Sequence, residues 1–233
     1  MPTLPLSNSH IALNMLAFQQ QFIDLAIQAQ ALRFGDFELK SGRNSPYFFN
    51  AGQFNSGAAL AKLGACYAAK IVEAKLDFDM LFGPAYKGIP LVAVTAAALA
   101  INHGMDVPLA FNRKEAKKHG EGGTLVGAPL KGKVLIIDDV ITAGTAIREV
   151  IELLANSPSA QVSGVVIGLD RKEVGSNGKS AVATLKDEYG IGVESIITIE
   201  HLMEYLSNNH QQPENEAFLE NVQAYWQQYG THS

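Results

Sequence analysis

Apolar positions along this chain fall into two patterns, stretches spaced by three and four and short continuous runs, and their alternation predicts the elements. Ala17 to Ala31 places Phe18, Phe22, Leu25, Ala26 and Ala29 on one helical face. Leu32 to Leu39 alternates apolar and polar residues, as an edge strand and turn do. A polar turn follows at Lys40-Ser41-Gly42-Arg43-Asn44-Ser45-Pro46, then a second strand at Tyr47 to Asn50. Gly57 to Leu76 reads as a helix and Met80-Leu81-Phe82 as a strand. Gly83 to Gly88 breaks the pattern. Ile89-Pro90 then opens an apolar helix, proline being tolerated in a first turn. Strands are predicted at Leu109 to Phe111, Val134 to Ile137, Gln161 to Asp170 and Gly192 to Ile199. Ile147, Val150, Ile151 and Leu154 mark another helix, and Glu214 to Tyr229 a peripheral one that Trp226 packs down.

Strand and helix alternate from residue 57 onward, which predicts an α/β fold with a mainly parallel central sheet flanked by helices. The hairpin of about residues 32–55 stands outside that sheet as a small N-terminal hood, with the core starting at about residue 57. Residues 1–16 form an N-terminal extension, and 17–233 one domain. No repeat or low-complexity stretch interrupts it.

The chain is organised around Val134-Leu135-Ile136-Ile137-Asp138-Asp139-Val140-Ile141-Thr142-Ala143-Gly144-Thr145-Ala146-Ile147. Four apolar residues in a row suit a strand buried on both faces. The apolar run stops at two carboxylates, and a Gly/Thr turn leads into a helix. Ligands of open α/β sheets bind at the carboxyl ends of strands. A turn opening a helix offers backbone N–H groups and the positive end of the helix dipole, which suit a phosphate. Acids beside an anion cradle match a ligand with both hydroxyls and phosphate, such as a phosphorylated sugar. The residues alone also allow a metal-binding pair or a plain sheet edge.

Composition narrows the field. Hydrophobic residues make up 47% and charged ones 18%, ordinary values for a globular protein with a sizeable core. A net charge of −5 argues against nucleic acid as a partner. The single cysteine, Cys66, cannot form an internal disulfide and fits a reducing cytoplasm. Its apolar neighbours make it a small core residue rather than a nucleophile. The longest apolar run, Leu91 to Ile101, falls short of the ~18 residues of a membrane span. Met1 to Asn14 lacks the basic and apolar regions of a secretory signal.

A second chemical feature is the run from Arg113 to Gly123, where Arg113, Lys114, Lys117, Lys118 and His119 face only Glu115 and Glu121. It reads either as a solvated charged loop or as a mobile basic lid. A lid of this kind would stabilise a departing diphosphate, whose negative charge grows as its bond breaks. His119 could also donate a proton.

Taken together, these phrases resemble the type I phosphoribosyltransferases. Asp138-Asp139 and Thr142 to Ala146 match that family's ribose-phosphate signature. Arg113-Lys114-x-x-Lys117-x-His119-Gly-x-Gly-Gly is similar to the catalytic loop of the orotate subgroup. Phe34-Gly35-Asp36-Phe37-x-Leu39-Lys40-Ser41-Gly42-Arg43-x-Ser45-Pro46-Tyr47-Phe48-Phe49-Asn50 looks like that subgroup's hood. With the 81–90 turn and Leu169-Asp170-Arg171, the similarity runs from about Ala17 to near the C terminus.

The resemblance implies transfer of a phosphoribosyl group from phosphoribosyl pyrophosphate (PRPP) to orotate. Asp138 and Asp139 would contact the ribose hydroxyls, Thr142, Ala143, Gly144, Thr145 and Ala146 would hold the 5-phosphate, and Val140 and Ile141 would also meet PRPP. Tyr86 and Lys87 would sit in a diphosphate turn with a cis peptide at Ala85–Tyr86. Lys40, Arg113, Lys114, Lys117 and His119 would also reach PRPP. Lys40, the Phe48-Phe49 backbone and Thr142 would border the pyrimidine, and Arg171 would face its carboxylate with two parallel hydrogen bonds. Without that context Arg171 reads as a surface partner of Asp170 or Glu173, and Phe48 and Phe49 as core. The family further implies Mg²⁺ held through PRPP and water with no direct protein ligand, and a homodimer in which Lys117 and His119 serve the neighbouring site. A phosphoribosyltransferase-like regulatory module, binding nucleotide and nucleic acid without turnover, is the alternative from another class.

Overall fold

The side chains of Val134 to Ile137 alternate between the two faces of one central sheet: Leu135 and Ile137 enter one apolar cluster, Val134 and Ile136 another. The computed structural model describes residues 14–39, 41–113, 124–141, 144–155, 157–175, 178–209 and 213–231. Its elements are α1 (Ala17–Gln28), β1 (Leu32–Glu38), β2 (Asn44–Phe49), a 3-10 turn (Ala51–Gln53), α2 (Gly57–Glu73), β3 (Met80–Gly83), α3 (Gly88–His103) and β4 (Leu109–Asn112). There follow β5 (Leu125–Gly127), β6 (Gly132–Val140), α4 (Thr145–Ala155), β7 (Ala160–Asp170), α5 (Ala181–Tyr189), β8 (Val193–Thr198), α6 (Ile199–Asn208) and α7 (Pro213–Tyr229).

The main sheet has six strands in the order β5-β4-β3-β6-β7-β8. Every neighbouring pair is parallel except β4 with β5, so an antiparallel strand closes one edge. One face packs on α1, α2, α3 and α6 through Phe22, Leu63, Leu99 and Leu202. The other packs on α4 and α5 through Ile147, Val150, Leu154 and Leu185. This is the predicted α/β architecture, with the crossover helices forming the outer layers. β1 and β2 make a separate antiparallel pair, the hood, with a register shift between Phe34 and Phe37. Pro46 lies inside β2, which a two-stranded ribbon tolerates because one side of each strand needs no partner.

The structure corrects several boundaries. β6 does not stop at the carboxylates but runs through Asp138 and Asp139 to Val140, carried by pairing with β7 as far as Val140↔Leu169. β2 begins at Asn44, within the polar turn expected to precede it. Besides the 3-10 turn, β5, α5 and α6 were not anticipated. α5 buries only Thr184 and Leu185, too few apolar positions for a period to show. Residues 1–13 of the predicted N-terminal extension lie outside the described residues.

Cys66 is fully buried in α2, and burial pushes its thiol up to about 12, far from a reactive thiolate. Among the described residues, no helix is long and apolar enough to cross a membrane. Gly64, two residues before Cys66, is where α2 presses on α3: a Cβ there would run into the Val94 carbonyl. Gly64→Ala must therefore force the helices apart. We expect it to lower the stability measured by chemical denaturation by roughly 1–3 kcal/mol.

Candidate active site

β3 and β6 are adjacent and parallel, with Phe82 opposite Ile136, so their carboxyl ends open on the same edge of the sheet. That register brings the turn after β3 against the acids of β6. Glycine is required at both ends of the turn. A Cβ on Gly83 would overlap the Gly88 carbonyl, and one on Gly88 would lie 2.6 Å from Pro84 Cδ and 3.0 Å from the Ile137 oxygen. The Ala85–Tyr86 peptide is cis, as the family resemblance implies. From the end of β4, Asn112 Oδ1 accepts a hydrogen bond from the Ala85 amide at 2.7 Å and fastens the turn to a third strand.

Lys87 projects from this turn and donates to Asp139 Oδ2 at 2.7 Å. The lysine side chain is 51% exposed and the aspartate side chain 9%, so the pair has one end in water and one in the protein. Each acid is also braced by the backbone. Asp138 Oδ1 accepts from the Asp139 amide, and Asp139 Oδ1 from the Val140 amide, both at 2.9 Å. Burial, reinforced by the neighbouring Asp139 charge, pushes the Asp138 carboxyl up to about 7. Beyond Val140 and Ile141, Gly144 turns the chain with φ of +72°, and α4 begins at Thr145 with Ala146 exposed in its first turn. The N-terminus of α4 thus follows the acids in the chain, and such an end offers backbone donors to an anion. Thr142 and Ala143 lie outside the described residues.

Residues 50–196 match the phosphoribosyl transferase domain family. The chain is 57% identical over 216 residues to an orotate phosphoribosyltransferase of Pseudomonas fluorescens, covering 93% of this chain and 100% of that protein. A homologue with the same name from Saccharophagus degradans is also 57% identical, over 93% of this chain and 99% of its own. Among solved structures, the orotate phosphoribosyltransferase of Francisella tularensis superposes with a TM-score of 0.80 at 43% identity, covering 90% of this chain and 99% of that one. The chain belongs to the orotate phosphoribosyltransferase family.

The remaining family positions fall into two groups. Lys40, Lys114, Lys117 and His119 lie outside the described residues. The anchors of the basic loop are defined: Arg113 N–H donates to the Thr124 carbonyl at 2.6 Å, so the loop leaves and rejoins the sheet at one point, the β4–β5 edge. Tyr86 is 63% exposed beside Lys87. The Phe49 ring turns inward, 6.1 Å from Phe22 and 6.3 Å from Phe54, so only its backbone is left to border a base. The Phe48 ring packs at 5.5 Å on Phe37 and under Arg33.

Arg171 pairs with Glu173, and the pair is largely buried rather than on the surface. Its Nε donates to Glu173 Oε1 at 2.6 Å and its Nη2 to Ser45 Oγ at 3.0 Å, while the guanidinium lies 4.2 Å from the Tyr47 ring centre. The arginine at the end of β7 thereby ties the hood to the sheet. Sequence patterns had not singled out Ser45 or Asn112 as part of the site. Asn112 had one available signal, its place at the carboxyl end of a strand.

The raised Asp138 value has a definite sign in stability. The folded state holds this proton more tightly than the unfolded chain, so ionisation penalises folding as pH climbs from the ordinary carboxyl range through about 7. Asp138→Asn should raise the melting temperature by several degrees at about pH 8, with the gain shrinking toward about pH 4.5, while turnover is lost.

Proposed function

We propose that this chain transfers the 5-phosphoribosyl group of PRPP to orotate, releasing pyrophosphate and forming orotidine 5′-monophosphate for pyrimidine biosynthesis. The observation that carries this reading is the 2.7 Å contact of Lys87 with Asp139, which joins a diphosphate-type turn to an acid pair at one sheet edge. The ribose hydroxyls would donate to Asp138 and Asp139, and the 5-phosphate would lie on Val140 to Ala146 at the start of α4. Tyr86 and Lys87 would meet the diphosphate, together with Lys40, Arg113, Lys114, Lys117 and His119.

Attack by the orotate ring nitrogen at the anomeric carbon passes through a cationic ribosyl centre. Orotate reacts as an anion, so the protein needs no strong base. Its work is to align the reactants and stabilise the departing charge. The hood and Phe48-Phe49 backbone would roof the pyrimidine with Lys40 and Thr142. Arg171, held by Glu173, Ser45 and Tyr47, would present its remaining N–H groups to the orotate carboxylate.

Among the described residues no group of three or more His, Cys, Asp and Glu side chains could hold a metal ion. Three of the four oxygens of the acid pair already accept hydrogen bonds. This donor set suits Mg²⁺ that arrives on PRPP, bound by substrate oxygens and water near Asp138 and Asp139. When bound, the ion would supply charge neutralisation of the diphosphate.

We also propose a homodimer with shared sites, in the reducing cytoplasm that a single buried thiol suits. α3 supports the dimer: it carries no Asp, Glu, Lys or Arg, and Pro90, Ala93, Ala97, Ala100 and Ile101 stand exposed along it, Ile101 at 81%. A second copy is the occupant that fits, because α3 starts at the turn bearing Lys87 and a copy seated there lies beside the site.

Two measurements test these proposals. With orotate, PRPP and Mg²⁺, orotate absorbance should fall as product forms. Product with uracil or hypoxanthine but none with orotate would overturn the substrate. Inactive Lys117→Ala and Asp139→Asn subunits, mixed in equal amounts, should recover roughly a quarter of wild-type activity if sites are shared. No recovery in verified heterodimers contradicts sharing.

A further inference from the structure

Tyr67 lies in α2, 1% exposed, yet its hydroxyl reaches the backbone of the acid pair. Tyr67 Oη donates to the Asp138 carbonyl at 2.8 Å, beside Gly168 of β7. The contact falls where the β6–β7 ladder pairs Asp138 with Ile167 and then Val140 with Leu169. Gly168 makes the room. A Cβ there would lie 3.1 Å from Tyr67 Oη, 3.0 Å from Phe22 Cζ and 3.2 Å from the Asp139 carbonyl.

We propose that Tyr67 is a positioning residue for sugar recognition: its hydroxyl fixes the peptide plane between Asp138 and Asp139, and through that plane the aim of the Asp138 carboxylate. The inference rests on the assignment of the acid pair to the ribose of PRPP. The plane is held at both ends. Its carbonyl accepts from Tyr67, and its N–H, that of Asp139, donates to Asp138 Oδ1 at 2.9 Å. A donor on the carbonyl polarises the peptide and strengthens the bond made by its N–H. Tyr67 thus acts on the carboxylate without touching it.

A phenylalanine would fill the same apolar volume, so packing alone does not account for the hydroxyl. A buried hydroxyl is costly unless bonded, and this one donates to the Asp138 carbonyl. Burial, with the nearby Asp139 and Asp138 charges, holds the phenol pKa well above its ordinary value, so it remains a donor throughout the working pH range. Tyr67 also sits one turn from Gly64, where α2 presses on α3. Helix α2 therefore links the sugar acids to the helix that starts at the Lys87 turn.

The test is Tyr67→Phe, with kcat and both KM values measured beside the melting temperature. KM for PRPP should rise roughly 3- to 10-fold, the scale of one net hydrogen bond, while kcat and KM for orotate stay within about twofold. A general packing defect would lower the melting temperature and degrade both KM values together, and that result overturns the proposal. So does a folded variant with the wild-type KM for PRPP. If the assay shows no turnover even in the wild-type protein, the reading of the reaction fails instead, and calorimetric affinity for PRPP with Mg²⁺ then replaces KM as the measured quantity. Should the variant not fold, the wild-type protein labelled with ¹³C at tyrosine Cζ answers the question. The Tyr67 signal should shift on saturation with PRPP and Mg²⁺ but not with orotate, and a signal unmoved by PRPP contradicts the role.

Discussion

The contact between Lys87 and Asp139 is the constraint around which the site is arranged. Asp139 is held almost entirely inside the protein, where an unpaired carboxylate is expensive, and Lys87 reaches it from a turn that glycines at 83 and 88 press onto β6. The pair locks two strand ends into one surface while leaving half of the lysine in water. A ligand with a diphosphate at one end and vicinal hydroxyls at the other addresses both partners at once. Burial and the Asp139 charge outweigh the nearby Lys87 at the neighbouring Asp138, and its carboxyl is raised to about 7. Two adjacent acids at a sheet edge cost stability, a cost typical of functional sites.

A second tie joins the hood to the sheet. Arg171 leaves β7, lies over Tyr47 and bonds Ser45 and Glu173. Arg43 of the hood approaches the same glutamate at 3.6 Å and lies 4.7 Å from the ring centre of Tyr229 on α7. Tyr225 of α7 meets Tyr47 edge-on. The C-terminal helix thus braces the arginine assigned to the base, although its own sequence carries no signature residue. The acid pair is anchored in the sheet, and Arg171 in the joint between hood, β7 and α7.

What could be read from sequence follows from how local each signal is. Val134 to Ile137 announced a central strand because both faces of that strand are buried and no polar position interrupts it. Its continuation through Asp138 and Asp139 was hidden, since aspartate is depleted in strands and only pairing with β7 imposes the conformation. β5 is three residues long and exists through β4, so nothing local marks it. The acid pair and the 83–88 turn were legible because each is a contiguous phrase. Tyr67 and Asn112 were not, because their partners stand 71 and 27 residues away and tyrosine in a helix or asparagine at a strand end has many fates. Arg171 was half legible: a surface pair with Asp170 or Glu173 was one reading, and the choice of Glu173 and the burial of the pair depend on tertiary packing.

The account stands or falls on whether these separated groups bind one sugar donor. Isothermal titration of the full-length protein with PRPP in the presence of Mg²⁺ measures this directly. Saturable binding of one PRPP per chain, weakened when Asp139 is replaced by Asn, is the predicted result. A folded wild-type protein that takes up no PRPP under these conditions would contradict it.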